Sequence, residues 1–338
     1  MGPSAPGRSR HPQGTGTRRQ LAADTARPSI ERVSGPTVAI APSTPEWAAE
    51  AVRLGGGTPT SEPGEAEALI WLQPGEPARL GELLGAHRGL RWVQLPFAGV
   101  EAFAAAGVLS ADRSWTCAKG CYAEPVAEHA LALSLAGLRL LPERVTARSW
   151  GQPAGTSLYD SSVVILGGGG ITAELLRLLQ AFRVRATVVR RRRDPVPGAA
   201  RTVPVSDLHR VLPGALVVYL ALALTPSTAG IIGADELSLM DPRAWLVNVA
   251  RGGHVDTEAL VSALGSGAIA GAALDVTDPE PLPDGHPLWE APNCIITPHT
   301  ADTWDMIRPR LARRIEDNVA RFATGAPLLG LVDPAEGY

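Results

Sequence analysis

Residues 246–299 read LVNVARGGHVDTEALVSALGSGAIAGAALDVTDPEPLPDGHPLWEAPNCIITPH. Three short apolar runs mark this region, at residues 245–250, 270–276 and 294–297. Runs of that length, separated by turn residues, fit buried parallel strands. Each leads to a residue able to do chemistry: Arg251, then Glu280 in the loop after Asp275, then His299. Ligands of a doubly wound sheet bind outside the carboxyl ends of its strands. An arginine, a glutamate and a histidine brought to one such edge point to a carboxylate anchor and an acid/base pair.

The rest of the chain bounds this reading. Its 338 residues predict two domains, and 45% hydrophobic content with 5% aromatic residues fits an α/β protein with a sizeable core. A net charge of −3 gives no reason to expect a nucleic-acid or membrane partner, so the expected partner is a small molecule. No run approaches the ~18 apolar residues of a membrane span. The longest, residues 130–141, is broken by Arg139 and reads as a buried helix, so a soluble, cytoplasmic protein is expected. Cys117, Cys121 and Cys294 lack metal-like companions and read as small buried residues in a reducing compartment; no metal is expected.

Residues 1–36 are rich in Gly, Pro, Ser, Arg and Thr, have no signal-peptide core, and are expected to form a disordered tail. Strands are predicted at residues 37–41, 68–72 and 90–94, with helices at 46–54 and 77–86. The third strand runs into the turn Leu95-Pro-Phe-Ala-Gly-Val100, where Gly99 either presents free N–H groups to an anion or is purely structural. Residues 124–141 are apolar nearly all round, which predicts a covered helix at a domain or subunit interface. His129 in it reads as a structural histidine.

A second landmark is the strand at residues 161–166, the turn Gly167-Gly-Gly-Gly170, and a helix at 171–182 with Ile171, Leu175, Leu178, Leu179 and Phe182 on one face. Strand, G-x-G and helix form the dinucleotide arrangement: Gly167, Gly169, Gly170 and Ile171 lie where a pyrophosphate meets a helix N-terminus. Thr172 replaces the third glycine. After the next strand, residues 186–189, an acid would bind the ribose of NAD; here Arg190 and Arg191 stand instead. They fit a 2′-phosphate and predict NADP in preference to NAD, unless the loop is simply a solvated basic one. A strand at 216–222 leads to Thr225, a helix follows at about 235–240, and Asp256 caps a helix at 257–264 that Gly265 ends. A last helix, residues 302–322, aligns Ile307, Leu311, Ile315, Val319 and Phe322.

The motifs GGGGIT, LTPSTAGIIGADELSLM, LVNVARGGHVDTEALVSAL, GAALDVTDPEPLP and ITPHTA resemble those of the D-isomer-specific 2-hydroxyacid dehydrogenases over about residues 91–322. The resemblance implies an α/β fold of two Rossmann-like domains. A doubly wound, parallel-sheet NAD(P)-binding domain, residues 123–299, would be inserted into a smaller flavodoxin-like substrate domain, residues 37–122 and 300–338. It implies hydride transfer between nicotinamide and a small 2-oxo acid or D-2-hydroxy acid, such as glyoxylate or hydroxypyruvate. His299 would be the proton donor and acceptor, Glu280 would tune it by favouring the protonated ring, and Arg251 would anchor the substrate. Backbone amides of Ala98 and Gly99 would hold the substrate carboxylate, and Asp275 the nicotinamide carboxamide. A homodimer through the helix at residues 126–141 is implied as well.

Four positions depart from the family pattern: Thr172 and Arg183 for glycine, Ala223 for proline, and Leu216 for an acid. Trp71, Leu72, Phe97 and Trp304 are expected to line the substrate side-chain pocket. The alternative is a dinucleotide-sensing, corepressor-like binding protein with little turnover. Formate oxidation fits less well, because its enzymes carry Gln at the position of Glu280.

Overall fold

Strands buried on both faces build the first sheet. The computed structural model describes residues 35–335. The tail expected at residues 1–36 lies outside the described residues except for Gly35 and Pro36, and the Pro36 carbonyl already accepts the Thr58 N–H at 2.9 Å. The order is β1 (Thr37–Ala41), α1 (Glu46–Leu54), β2 (Thr58–Thr60), β3 (Ala68–Trp71), α2 (Pro77–Ala86), β4 (Trp92–Gln94), α3 (Glu101–Ala105) and β5 (Ser114–Thr116). These strands form a five-stranded parallel sheet ordered β2-β1-β3-β4-β5. Val38, Ile40, Ala68 and Ile70 enter one apolar cluster, and Ala39, Ala41, Leu69 and Trp71 another, so both faces are covered. The three-residue edge strands β2 and β5 have no readable alternation, and β2 contains Pro59, which an edge tolerates.

Two helices then leave the first sheet, α4 (Ala123–Leu138) and α5 (Leu141–Thr146). The helix expected at 124–141 stops at Leu138, because Leu140 takes a left-handed conformation (φ 52°). The second sheet follows as β6 (Ser162–Leu166), α6 (Gly170–Leu179), β7 (Arg185–Val189), β8 (Arg201–Val203), α7 (Leu208–Val211), β9 (Val217–Leu220), α8 (Ala234–Leu239), β10 (Trp245–Asn248), α9 (Thr257–Ser266), β11 (Gly271–Leu274) and β12 (Cys294–Ile296). Its seven parallel strands are ordered β12-β11-β10-β9-β6-β7-β8. The order reverses between β6 and β9, which is the switch point where such sheets bind ligands. Helix α9 runs to Ser266 with Gly267 (φ 71°) as its left-handed cap, two residues beyond the stop expected at Gly265.

The last helix, α10 (Trp304–Thr324), returns to the first sheet and packs on α1. Ile307, Leu311, Ile315 and Val319 are buried there, on the face that their spacing predicts. Beyond it, Val332 donates to the Trp115 carbonyl at 2.9 Å, so the chain closes against β5. The fold is therefore α/β, with two Rossmann-like domains. No helix among the described residues is long and apolar enough to cross a membrane.

Gly167, directly after β6, has φ 110°, and a Cβ there would run into the Ala221 carbonyl oxygen. A Cβ at Gly169 would meet nothing within 4 Å, at an ordinary φ of −92°. Gly167→Ala should therefore destabilise the protein by at least about 1–3 kcal/mol. Gly169→Ala should cost less than about 1 kcal/mol, mainly through its position at the helix start. Thermal unfolding followed by circular dichroism compares them; equal midpoints would contradict this account of the turn.

Candidate active site

The carboxyl edge of the second sheet is built from glycine at its centre. Helix α6 starts at Gly170, and its first-turn N–H groups have no intrahelical partners. The open space above Gly169 leaves room for an anion to approach them, which is what a dinucleotide pyrophosphate requires. Thr172, where a third glycine is usual, is fully buried and donates its hydroxyl to the Gly167 carbonyl at 3.0 Å, so the replacement ties turn to helix. Arg190 follows β7 with its side chain over the turn; a Cβ on Gly168 would come within 3.0 Å of it. Arg191 beside it is exposed. Thr225 follows β9, its N–H held by the Thr228 hydroxyl at 2.8 Å. Arg183 occupies a left-handed position (φ 53°) after α6 and is held by Asp160 at 2.7 Å and by the Tyr159 ring. That explains how arginine is accommodated where glycine is common.

Arg251 follows β10 in a turn braced by Asn248, whose side chain donates to the Arg251 carbonyl at 2.9 Å and accepts from the Ala250 N–H at 3.0 Å. The buried His254 also lies against that carbonyl, at 2.9 Å, and burial pushes its imidazole pKa down. The Arg251 guanidinium pairs with Glu101 at 3.3 Å and packs against Gly99, where a Cβ would collide with it. A side chain at that turn would displace the guanidinium. His299, after β12, bonds Glu280 through Nδ1 at 2.6 Å, and both side chains are about two-fifths exposed (43% and 40%). The Glu280 loop is pinned by the Thr277 hydroxyl on the Pro279 carbonyl and the Thr257 hydroxyl on the Asp278 carbonyl, each at 2.9 Å.

Asp275 holds these parts together. Its carboxylate is buried and accepts from the Thr297 hydroxyl (2.5 Å) and from the N–H groups of Thr300 (2.9 Å) and Ala301 (3.0 Å). His129 of α4 reaches the same carboxylate at 3.3 Å and Thr297 at 3.1 Å. The backbone carbonyl of Asp275 takes the His299 N–H at 2.9 Å, and His299 itself has φ 51°. One side chain and one carbonyl thus fix the loop on both sides of the histidine.

A cavity of about 460 Å³ brings together Ala98, Gly99, Ile171, Arg251, Asp275 and His299. Glu280 stands behind His299 rather than in the cavity wall. Phe97 and Trp304 line it as expected, whereas Trp71 and Leu72 do not. Trp71 is fully buried in the apolar cluster that faces α2, and Leu72 packs into the other cluster. Sequence reasoning missed Glu101, which sits two residues after Gly99 with no signal that it would meet Arg251. It also missed Asp302 in the cavity wall, and the part of His129 in the Asp275 clamp. Among the described residues, no group of three or more His, Cys, Asp or Glu could hold a metal ion.

Burial alone would push the Asp275 carboxyl up, but His129, Thr297 and the two N–H groups outweigh it and hold it at about 2. Its folded value lies below the unfolded one, so its contribution is present above about pH 4 and is lost as pH falls through about 2. That contribution is about 2 kcal/mol. Asp275→Asn should be less stable at neutral pH, and its stability should fall less between pH 4 and 2. Urea unfolding at a series of pH values checks this; parallel wild-type and variant profiles would count against the clamp.

The chain is similar to known proteins in sequence and in fold. Residues 130–301 match the model of the D-isomer specific 2-hydroxyacid dehydrogenase NAD binding domain. A Corynebacterium melassecola protein, described as uncharacterized and from the proB 3′ region, is 41% identical over 255 residues, or 74% of this chain and 84% of that protein. The crystal structure of a D-isomer specific 2-hydroxyacid dehydrogenase from Xanthobacter autotrophicus Py2, in complex with NADPH and MES, is 27% identical with a TM-score of 0.77, covering 90% of this chain and all (100%) of that one. A D-isomer specific 2-hydroxyacid dehydrogenase family protein from Aeromonas salmonicida is 28% identical with a TM-score of 0.71, over 89% and 100% of the two chains. With its glycine turn at the switch point and an Arg, a Glu and a His at the sheet edge, the chain belongs to the D-isomer specific 2-hydroxyacid dehydrogenases, NAD(P)-dependent oxidoreductases.

Proposed function

We propose that this protein reduces small 2-oxo acids, glyoxylate or hydroxypyruvate among them, to D-2-hydroxy acids with NADPH as the preferred donor. The observation that carries the reading is the Nδ1 bond from His299 to Glu280, in a cavity whose wall also holds Arg251. With Nδ1–H given to the carboxylate, Nε2 is left to carry the proton that the keto oxygen takes up. Glu280 fixes the ring's orientation and its negative charge offsets that of the protonated ring. Arg251, charged at any useful pH, pairs with the substrate carboxylate, and the N–H groups of the Ala98–Gly99 turn supply further donors. When bound, the reduced nicotinamide supplies the hydride. Gly167, Gly169, Gly170 and Ile171 would hold its pyrophosphate side, with Thr225 and Asp275 nearer the ring.

Arg190 and Arg191 support the choice of NADPH, since guanidinium groups after β7 favour a 2′-phosphate over a free ribose hydroxyl. Residues 123–299 are read as the dinucleotide domain, and residues 37–122 with 300–338 as the substrate domain. Closure of the two over the cavity would exclude water. Exposed Leu141, Val145 and Trp150, just beyond α4, support a homodimer through this side of the dinucleotide domain.

The reaction is tested by loss of reduced-nicotinamide absorbance with a panel of 2-oxo acids, NADPH and NADH in parallel. NADPH should support the faster turnover, and His299→Ala should lower kcat by about 10²–10⁴-fold. Arg190→Ala should shrink the NADPH-over-NADH ratio of kcat/KM by roughly tenfold. Faster turnover with NADH would overturn the cofactor assignment. Tight NADPH binding with no acid turned over would favour a dinucleotide sensor instead.

A further inference from the structure

Asp302 lines the cavity beside Arg251 and His299, in the short segment between His299 and the start of α10. Among the described residues, no other side chain bonds or pairs with its carboxylate, whereas Arg251 is paired with Glu101 and His299 with Glu280. Burial pushes this carboxyl up, and the charges of His299, Asp275 and Arg251 act on it, which places it within their electrostatic reach. It precedes the N-cap residue Thr303, where a negative charge suits the helix dipole. That preference is already met by Asp305 in the first turn, and it does not account for a carboxylate facing the cavity.

Two aromatic rings share the wall. Trp304 is 43% exposed and is steadied by an edge contact from Trp47 at 5.9 Å, while Phe97 packs on Tyr122 at 6.2 Å. An unpaired carboxylate together with aromatic faces is the chemistry that receives an organic cation. A substrate with a lone carboxylate would bring a second anion into the cavity with Asp302 uncompensated. A substrate with a carboxylate at one end and a cation at the other satisfies both Arg251 and Asp302.

We propose that the preferred substrate is a 2-oxo acid with a cationic side chain, an amine or a guanidinium, paired by Asp302 and stacked on Trp304 and Phe97. This deepens, and rests on, the 2-oxo acid reading of Arg251 and His299.

The test compares kcat/KM for 5-guanidino-2-oxopentanoate with that for its neutral isostere 5-ureido-2-oxopentanoate, using NADPH. The wild type should favour the guanidinium by at least about tenfold. Asp302→Asn should bring the ratio to within about twofold, and Trp304→Leu should lower it severalfold. A ratio near one in the wild type, or one unchanged in Asp302→Asn, overturns the proposal while turnover of glyoxylate leaves the reductase standing. Calorimetric titration of 5-guanidinopentanoate, which has no keto group, gives a readout independent of turnover. Binding that weakens about tenfold in Asp302→Asn supports the cation site even if no 2-oxo acid is reduced. Equal binding to both proteins overturns it.

Discussion

The carboxylate of Asp275 meets four donors in the interior: the Thr297 hydroxyl, the N–H groups of Thr300 and Ala301, and His129. A buried charge is tolerated only when its lone pairs are taken up, and here every partner but His129 belongs to the segment that carries His299. The cost of burying the charge therefore becomes a constraint on the loop. Thr297, His299, Thr300 and Ala301 must keep their present path, and the ring of His299 is presented from a backbone it would not adopt unaided (φ 51°). His129 ties that path to α4 through both Asp275 and Thr297, so the helix apolar nearly all round contributes one polar side chain to the clamp.

The parallel sheets supply the second constraint. In both, the strands end on one edge, and residues distant in sequence arrive there because the strands are neighbours. β10, β11 and β12 pair in succession, which sets Arg251, Asp275 and His299 side by side although helix α9 and a long loop intervene. The turn carrying Gly99 approaches from the first sheet, and its missing Cβ lets the Arg251 guanidinium lie against it. Glu101 then gives the guanidinium a fixed anion to lean on, at 3.3 Å. Positioning of this kind limits the rotamers a long side chain must give up when a ligand arrives.

Two of the departures from the family pattern are absorbed locally. Thr172 is buried and hydrogen-bonded to the turn it would be expected to loosen. Arg183 takes a glycine's conformation and is compensated by Asp160 and Tyr159. A single missing glycine is therefore a poor reason to reject a dinucleotide turn whose strand and helix are in place.

The sequence by itself determined the α/β class, the glycine turn after β6 and the placement of Arg251, Glu280 and His299 after β10, β11 and β12. Those signals are local: apolar runs of strand length, turn residues between them, and helical spacing such as Ile307, Leu311, Ile315 and Val319. The edge strands β2, β5 and β8 were not legible, because TPT, SWT and RTV are short and mixed in polarity, with no apolar run such as the one that marks β12. The extent of α4 and the cap of α9 at Gly267 also escaped, since a left-handed residue is chosen by its surroundings as much as by its type. Only the tertiary structure decided that Glu101 meets Arg251, that His129 and Asp275 form one clamp, and that Asp302 rather than Trp71 faces the cavity. Each of these depends on which face of a sheet or which end of a helix a side chain occupies once distant segments pack, and no spacing along one chain encodes that.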